Sequence, residues 1–296
     1  MDINYELYKV FYCVAVTLSF SEASRRLFIS QSAVSQSIKV LEKKLNQKLF
    51  VRSTKKVQLT PDGETLFRYI EPAMNLIRQG ERCLVENRQP GGGQLRIGAS
   101  DTICRYYLVP YLNRFHRQYP HIHIKVANQT SIRCAGLLEQ GQVDIIVTNY
   151  PNSALTGMGT PRILREFWDV FVANREFFPL EQEVLTLGRL KSYPILMLDS
   201  KSTTSQFLHS MFRRCGLDLV PEIELSSNDL LIDLARIGLG IAFVPDFCIP
   251  PGEKDLFVLQ LQEAFPARHM VAVYNESLPL SRAVKQFMEI LLEDKL

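Results

Sequence analysis

The sequence predicts an α/β protein with a small all-α head at its N-terminus, a long linker helix and a two-lobed α/β body. Three observations carry this. Apolar residues recur at helical spacing up to about residue 89. After Pro90-Gly91-Gly92-Gly93 the pattern changes to alternating strands and helices, in two successive series. Charge divides in the same sense: residues 1–60 hold ten Lys/Arg against four Asp/Glu, while the 296-residue chain is only net +3, so the remainder is slightly acidic. A basic head on an acidic body points to a polyanion as the head's partner. The expected division is a head at 1–60, a linker helix at 61–89 and a body at 90–296. Within the body, lobe I takes about 90–163 and 268–296, and lobe II about 164–267.

In the head, Leu7, Phe11, Val14 and Leu18 form one helical stripe. Ser21 is placed to cap a short second helix containing Ala23, Ser24 and Leu27. Phe28-Ile29-Ser30 breaks the pattern, and a third helix runs from about Ser32 to Leu45 with Val34, Ile38, Leu41 and Leu45 as its stripe. Three short helices with a tight turn before the last suggest helix-turn-helix geometry. If the stripe of the third helix packs inward, Ser32, Ser35, Gln36, Lys39 and Lys43 face outward. Small hydroxyls allow close approach to a duplex, Gln can read base edges, and Lys serves phosphate or guanine. Leu49-Phe50-Val51-Arg52 and Val57-Gln58-Leu59 can pair as a short wing with the basic tip Ser53-Thr54-Lys55-Lys56. Thr60 then caps a new helix that begins with Pro61.

The run from Ser19 to Leu27, Ser30-Gln31-Ser32-Ala33-Val34-Ser35-Gln36, Ile38-Lys39-Val40-Leu41-Glu42, Leu49-Phe50-Val51-Arg52 and Leu59-Thr60-Pro61-Asp62-Gly63 closely resembles the winged helix-turn-helix of LysR-type transcriptional regulators. With the resemblance, the expected DNA-contacting set is Gln31, Ser32, Ser35, Gln36 and Lys39 on the third helix, and Arg52, Ser53 and Lys55 on the wing. Two positions depart from the family habit: Ser32 stands where Pro is common, and Gln36 where Arg is common. Both face DNA in the family, so the departures bear on which bases are preferred.

From 64 to 89, Leu66, Ile70, Ala73, Ile77 and Leu84 form a heptad seam, with Gly80 at the missing step. Such a seam suits pairing with a second copy, and two heads address two half-sites. Pro72 inside it is expected to kink or restart the helix.

The body reads as strands at 94–99, 122–126, 143–147, 168–173, 194–198, 222–225, 241–245 and 270–274, with helices at 101–118, 131–140, 203–215, 228–237 and 279–293. A βαβαβ order implies parallel sheets. This pattern looks like the effector domain of LysR-type regulators, which is similar to periplasmic binding proteins. A ligand in such a fold sits at the carboxyl ends of strands and the N-termini of helices. Ser100-Asp101-Thr102, Gln129-Thr130-Ser131 with Arg133 nearby, and Ser200-Lys201-Ser202-Thr203-Thr204 occupy such turns, and Thr148-Asn149 end a strand. The resemblance implies effector binding around Ser100, Thr102, Thr130, Thr148, Ser202 and Thr203. Asp101 at that mouth disfavours an anion unless Arg105 or Arg133 offsets it, which leaves a cationic or zwitterionic effector open.

Other chemistry is thinly represented. GxGxxG, P-loop, GxSxG and HExxH motifs do not occur in a fitting context, so neither catalysis nor a cofactor is expected. Cysteines at 13, 83, 104, 134, 215 and 248 form no CxxC, and His121-Ile-His123 has no Cys or carboxylate beside it, so metal binding is not expected. No apolar run spans a membrane and no signal peptide is legible, so a cytoplasmic protein is expected. The expected function is an effector-modulated transcription factor. Its expected partners are promoter or operator DNA, a small-molecule effector, a second or further copies as homodimer or homotetramer, and RNA polymerase. Two other classes stay open at this point: a ligand-binding module without a DNA role, and an enzyme in the inter-lobe cleft.

Overall fold

The computed structural model of the chain describes residues 3–52, 56–86 and 93–293, with the backbone alone at Arg52, Val85 and Glu86. It divides into two compact units: residues 1–84 with 140–142, and residues 85–139 with 143–296.

In the first unit, α1 (Tyr5–Thr17), α2 (Phe20–Leu27) and α3 (Gln31–Leu45) close around Phe11, Val14, Ala23, Val34, Ile38 and Leu41. The predicted stripe of α3 is therefore its core face, with Leu45 half-buried at its end. The start of α2 differs from expectation. Ser19, not Ser21, is its cap, accepting from the Glu22 amide at 3.2 Å. The reason is Phe20, which belongs to the core and is drawn into the helix. Ser30 caps α3, accepting from the Ala33 amide at 3.2 Å. β1 (Phe50–Arg52) and β2 (Val57–Leu59) form the antiparallel wing, with Phe50 opposite Leu59. The wing tip, including Ser53 and Lys55, lies outside the described residues.

Two contacts lock the wing to the helices. Glu42 of α3 is buried, and its Oε1 accepts from the Leu49 amide at 2.9 Å and the Phe50 amide at 3.4 Å, while Oε2 meets Lys48 Nζ at 3.1 Å. At the start of α4 (Pro61–Glu86), Thr60 Oγ1 accepts from the Gly63 amide at 2.9 Å. A Cβ on Gly63 would stand 2.1 Å from the Leu49 carbonyl oxygen, so this position has room for glycine alone. α4 continues through Pro72 without restarting.

In the second unit the elements are β3 (Gly93–Ala99), α5 (Asp101–Ile103), a wide turn at Cys104–Leu108, α6 (Val109–Gln118), β4 (Ile122–Asn128), α7 (Ser131–Glu139), β5 (Ile145–Tyr150) and β6 (Arg162–Phe167). The chain then forms β7 (Asp169–Asn174), β8 (Val184–Leu185), α8 (Leu187–Leu190), β9 (Ile195–Leu198), α9 (Thr203–Arg214), β10 (Ile223–Leu225), α10 (Asn228–Arg236), β11 (Ile241–Pro245), β12 (Leu256–Val258) and β13 (Gln260–Leu261). It returns through β14 (Arg268–Tyr274) and ends with α11 (Arg282–Glu293). One sheet runs β4-β3-β5-β14-β6 and the other β10-β9-β11-β7-β12.

The central strands of both sheets are covered on two faces, which explains their near-continuous apolar runs. In β5, Ile145 and Val147 join the core under α6 and α11, while Ile146 joins the one under α7. In β11, Ile241 and Phe243 face α9, and Ala242 and Val244 face α10. The sheets are mixed, not parallel throughout: β14 runs antiparallel to β5, and β7 to β11. The first sheet also extends past the expected edge of lobe I at 163, because β6 pairs with β14 as far as Phe167. β6 escapes sequence detection because it buries only Leu164 and Phe167, a spacing of three that imitates no strand.

Candidate functional site

The outward face of α3 carries what the sequence placed there. Gln31, Ser32, Gln36, Lys39 and Lys43 are exposed and Ser35 is half-buried, opposite buried Val34, Ile38 and Leu41. Ser32 Oγ lies 2.8 Å from Ser30 Oγ, at the helix N-terminus. That end presents amide donors and a partial positive charge, which suit a phosphate. Arg25 and Arg26 on α2 are instead paired with Glu22 at 3.1 and 3.4 Å.

The second unit holds a cavity of about 290 Å³ between its two sheets. Ser100, Asp101 and Thr102 enter from the end of β3, Asn128 to Ser131 from the end of β4, and Asn149 from β5. The other wall is Leu198, Asp199 and Ser202 to Thr204 after β9, Ser226 and Asn228 after β10, and Pro245 at the end of β11. Carboxyl ends of strands and first turns of helices thus converge, as the topology demands. Ser202 Oγ accepts from the Ser205 amide at 2.9 Å, Thr130 Oγ1 from the Arg133 amide at 3.4 Å, and Ser227 Oγ from the Leu230 amide at 3.3 Å.

Three sets of contacts join the lobes around this cavity. Asn228 Nδ2 donates to Thr102 Oγ1 at 2.8 Å. Tyr106 Oη donates to Asp229 Oδ1 at 2.6 Å, with Arg105 Nη1 3.5 Å from the same oxygen. Burial, followed by the bond to Asp229, pushes the Tyr106 hydroxyl well above its ordinary range. Deeper still, Arg268 Nη1 donates to Asp169 Oδ2 at 2.6 Å and to Thr204 Oγ1 at 3.1 Å. Asp169 opens β7 and Arg268 opens β14, so this pair ties the two strands by which the chain crosses between the sheets. Complete burial pushes the Asp169 carboxyl up, and the guanidinium opposes that. Arg268 also lies over the rings of Phe167 and Phe207, at 5.5 and 5.0 Å.

Of the sequence-predicted cavity residues, Ser100, Thr102, Thr130, Ser202 and Thr203 line it together. Thr148 does not: it is fully buried behind the wall and accepts from Asn152 Nδ2 at 3.3 Å, while its neighbour Asn149 faces in. Lys201 and Arg133 are exposed and outside the lining; Arg133 donates to Gln129 Oε1 at 3.3 Å. Sequence reasoning missed Asn128, Asp199, Ser226 and Asn228. Asn228 begins a helix after a strand, as Thr203 does, and the same rule would have found it. Four of the six thiols belong to or pack on the core, while Cys83 is half-buried and Cys215 exposed: burial raises Cys104 to about 11 and Cys134 to about 12, and raises Cys13 and Cys248 as well.

The model of the bacterial regulatory helix-turn-helix protein, lysR family, matches residues 5–64, and that of the LysR substrate binding domain matches residues 88–295. The chain belongs to the LysR family. It is a LysR-type transcriptional regulator, with a helix-turn-helix head for DNA and an effector-binding body. Among curated relatives, a probable RuBisCO transcriptional regulator of Cyanidioschyzon merolae is 28% identical over 294 residues, covering 96% of each chain. One of the same description from Synechocystis is 30% identical over 260 residues, 84% of this chain and 72% of its own. The LysR fold recurs in solved structures. A full-length OxyR variant from Pseudomonas aeruginosa matches with a TM-score of 0.72 at 19% identity, over 99% of this chain and 95% of that one. Full-length CbnR with its target DNA matches at 0.66 and 16%, over 98% and 99%.

Proposed function

We propose that this regulator reads its operator with Gln31, Ser32, Ser35, Gln36 and Lys39 of α3, helped by Arg52, Ser53 and Lys55 of the wing. We propose also that its effector occupies the cavity at Ser100, Thr102, Thr130, Ser202 and Thr203. The observation that carries the first part is the exposed amide, hydroxyl and ammonium row on α3, set on a helix whose other face is fully committed to the core. The convergence of helix N-termini from both sheets on one cavity supports the second. The division into a head at 1–60, a linker at 61–89 and an effector domain at 90–296 goes with this reading. Of the expected seam, Leu66 and Ile70 pack on the head's own core while Ile77 and Leu84 are exposed, and those two support pairing with a second copy into a homodimer, or a homotetramer from two such pairs. The protein works in the cytoplasm and acts by binding, not catalysis. Among the described residues no helix is long and apolar enough to cross a membrane.

The effector shifts the regulator by binding one lobe arrangement more tightly than another, and so biases the heads on DNA and polymerase recruitment. A gel shift with operator and scrambled duplex tests the DNA half. Gln36→Ala and Lys39→Ala are expected to lose the preference for operator, and unchanged selectivity overturns the assignment to α3.

A further inference from the structure

We propose that the cavity takes a zwitterion: a small molecule of the α-amino-acid type, with one anionic group and one protonated amine. This rests on reading the cavity as the effector site and names the chemistry it selects. The lining includes two carboxylates, Asp101 and Asp199, and no Lys or Arg. Asp101 Oδ1 accepts from Asn128 Nδ2 at 2.9 Å and Asp199 Oδ1 from the Lys201 amide at 2.9 Å, which fixes both groups as acceptors. Asn149 and Asn228 line the same space at 8% and 4% exposure, and the Oδ1 of each is buried without a hydrogen-bond partner. Orphaned acceptors beside carboxylates call for a donor-rich cation.

The opposite demand comes from the helices. α7, α9 and α10 each begin at the cavity, and their caps take the third amide of the turn. The first two amides of each, such as those of Thr203 and Thr204, have no intrahelical acceptor and favour an anion. A dianion would satisfy the helices but meet two uncompensated carboxylates. A simple amine would satisfy the carboxylates and leave the amides unused. One molecule with both charges meets both demands, and the 290 Å³ volume suits a single small metabolite.

The test uses the full chain, with thermal shift and calorimetric titration. The probes are the free α-amino acids, their N-acetyl and C-amide derivatives, dicarboxylates, sugar phosphates and polyols. At least one free amino acid is expected to raise Tm, with both of its derivatives binding at least about 10-fold more weakly. Asp101→Asn and Asp199→Asn are expected to weaken it by about 10–100-fold. The derivative series on the unaltered protein keeps the test decisive if a variant fails to fold. A dicarboxylate or sugar phosphate that binds instead, and binds tighter to Asp199→Asn, overturns the zwitterion and leaves the effector cavity standing. Silence from every class of probe removes both.

Discussion

On α3 the polar groups stand in solvent: Gln36, Lys39 and Lys43 are exposed on a ridge whose reverse side is core. In the cavity several are walled in: Thr203, Thr204 and Asn228 are each buried, with Thr204 bonded to Arg268 and Asn228 to Thr102. The ridge attracts a polyanion with mobile cations, whose field salt screens and whose side chains must be ordered on contact. The cavity offers fixed helix dipoles and buried amides in a more sheltered space, where ordering was completed during folding and screening is weaker, although Asp101 stands exposed at its mouth. With α3 as the proposed reader and the cavity as the proposed sensor, the first is expected to be salt-sensitive and the second salt-tolerant, a contrast set by where charge sits, not by how much there is.

The largest expected effect lies beneath the cavity. Arg268→Ala strands the Asp169 carboxylate in the core, and breaking a buried pair costs about 3–5 kcal/mol, read by urea unfolding. The sign of its pH dependence follows from burial, which raises the Asp169 carboxyl. A raised folded-state value means that stability is present at low pH and is lost as pH rises through it. The variant is therefore expected to regain stability toward acid more than the parent does. A small loss with no acid recovery would show that the pair is not a sheltered charge pair, and the contrast with α3 would weaken.

Smaller effects are expected on the ridge. Gln36→Ala is expected to lower operator preference by about 1–3 kcal/mol, with binding to scrambled duplex little changed. Lys43→Ala is expected to reduce the slope of log affinity against log salt by about one unit on all sequences. If effector binding at the cavity shows a comparable salt slope, the two regions differ less than their geometry implies.

The sequence made the ridge more legible than the cavity, and the reason is physical. The α3 face is local, so one helical period assigns inside and outside together. The cavity is assembled from six separate turns, and only those with hydroxyl caps stood out. Asp199 and Asn228 gave no such mark, and Thr148 misled because a strand residue one place from the wall points the other way. The Arg268–Asp169 pair joins residues 99 apart, and nothing in the local pattern connects them.

The smallest expected effect concerns the turn that delivers α3. Phe28 closes α2 in the left-handed region, φ 54°, its amide donating to the Arg25 carbonyl at 3.3 Å, with 94% of the residue exposed. A bulky side chain in that region costs about 1–2 kcal/mol, and an exposed ring recovers little of it by burial. Asn tolerates the conformation, so Phe28→Asn is expected to stabilise the head by about 0.5–1 kcal/mol in denaturant unfolding. Operator affinity should hold, because the backbone that aims α3 is unchanged. If Phe28→Asn stabilises the head and weakens DNA binding, the ring is itself part of the reader, and the strain is retained because the exposed ridge extends one turn upstream of α3.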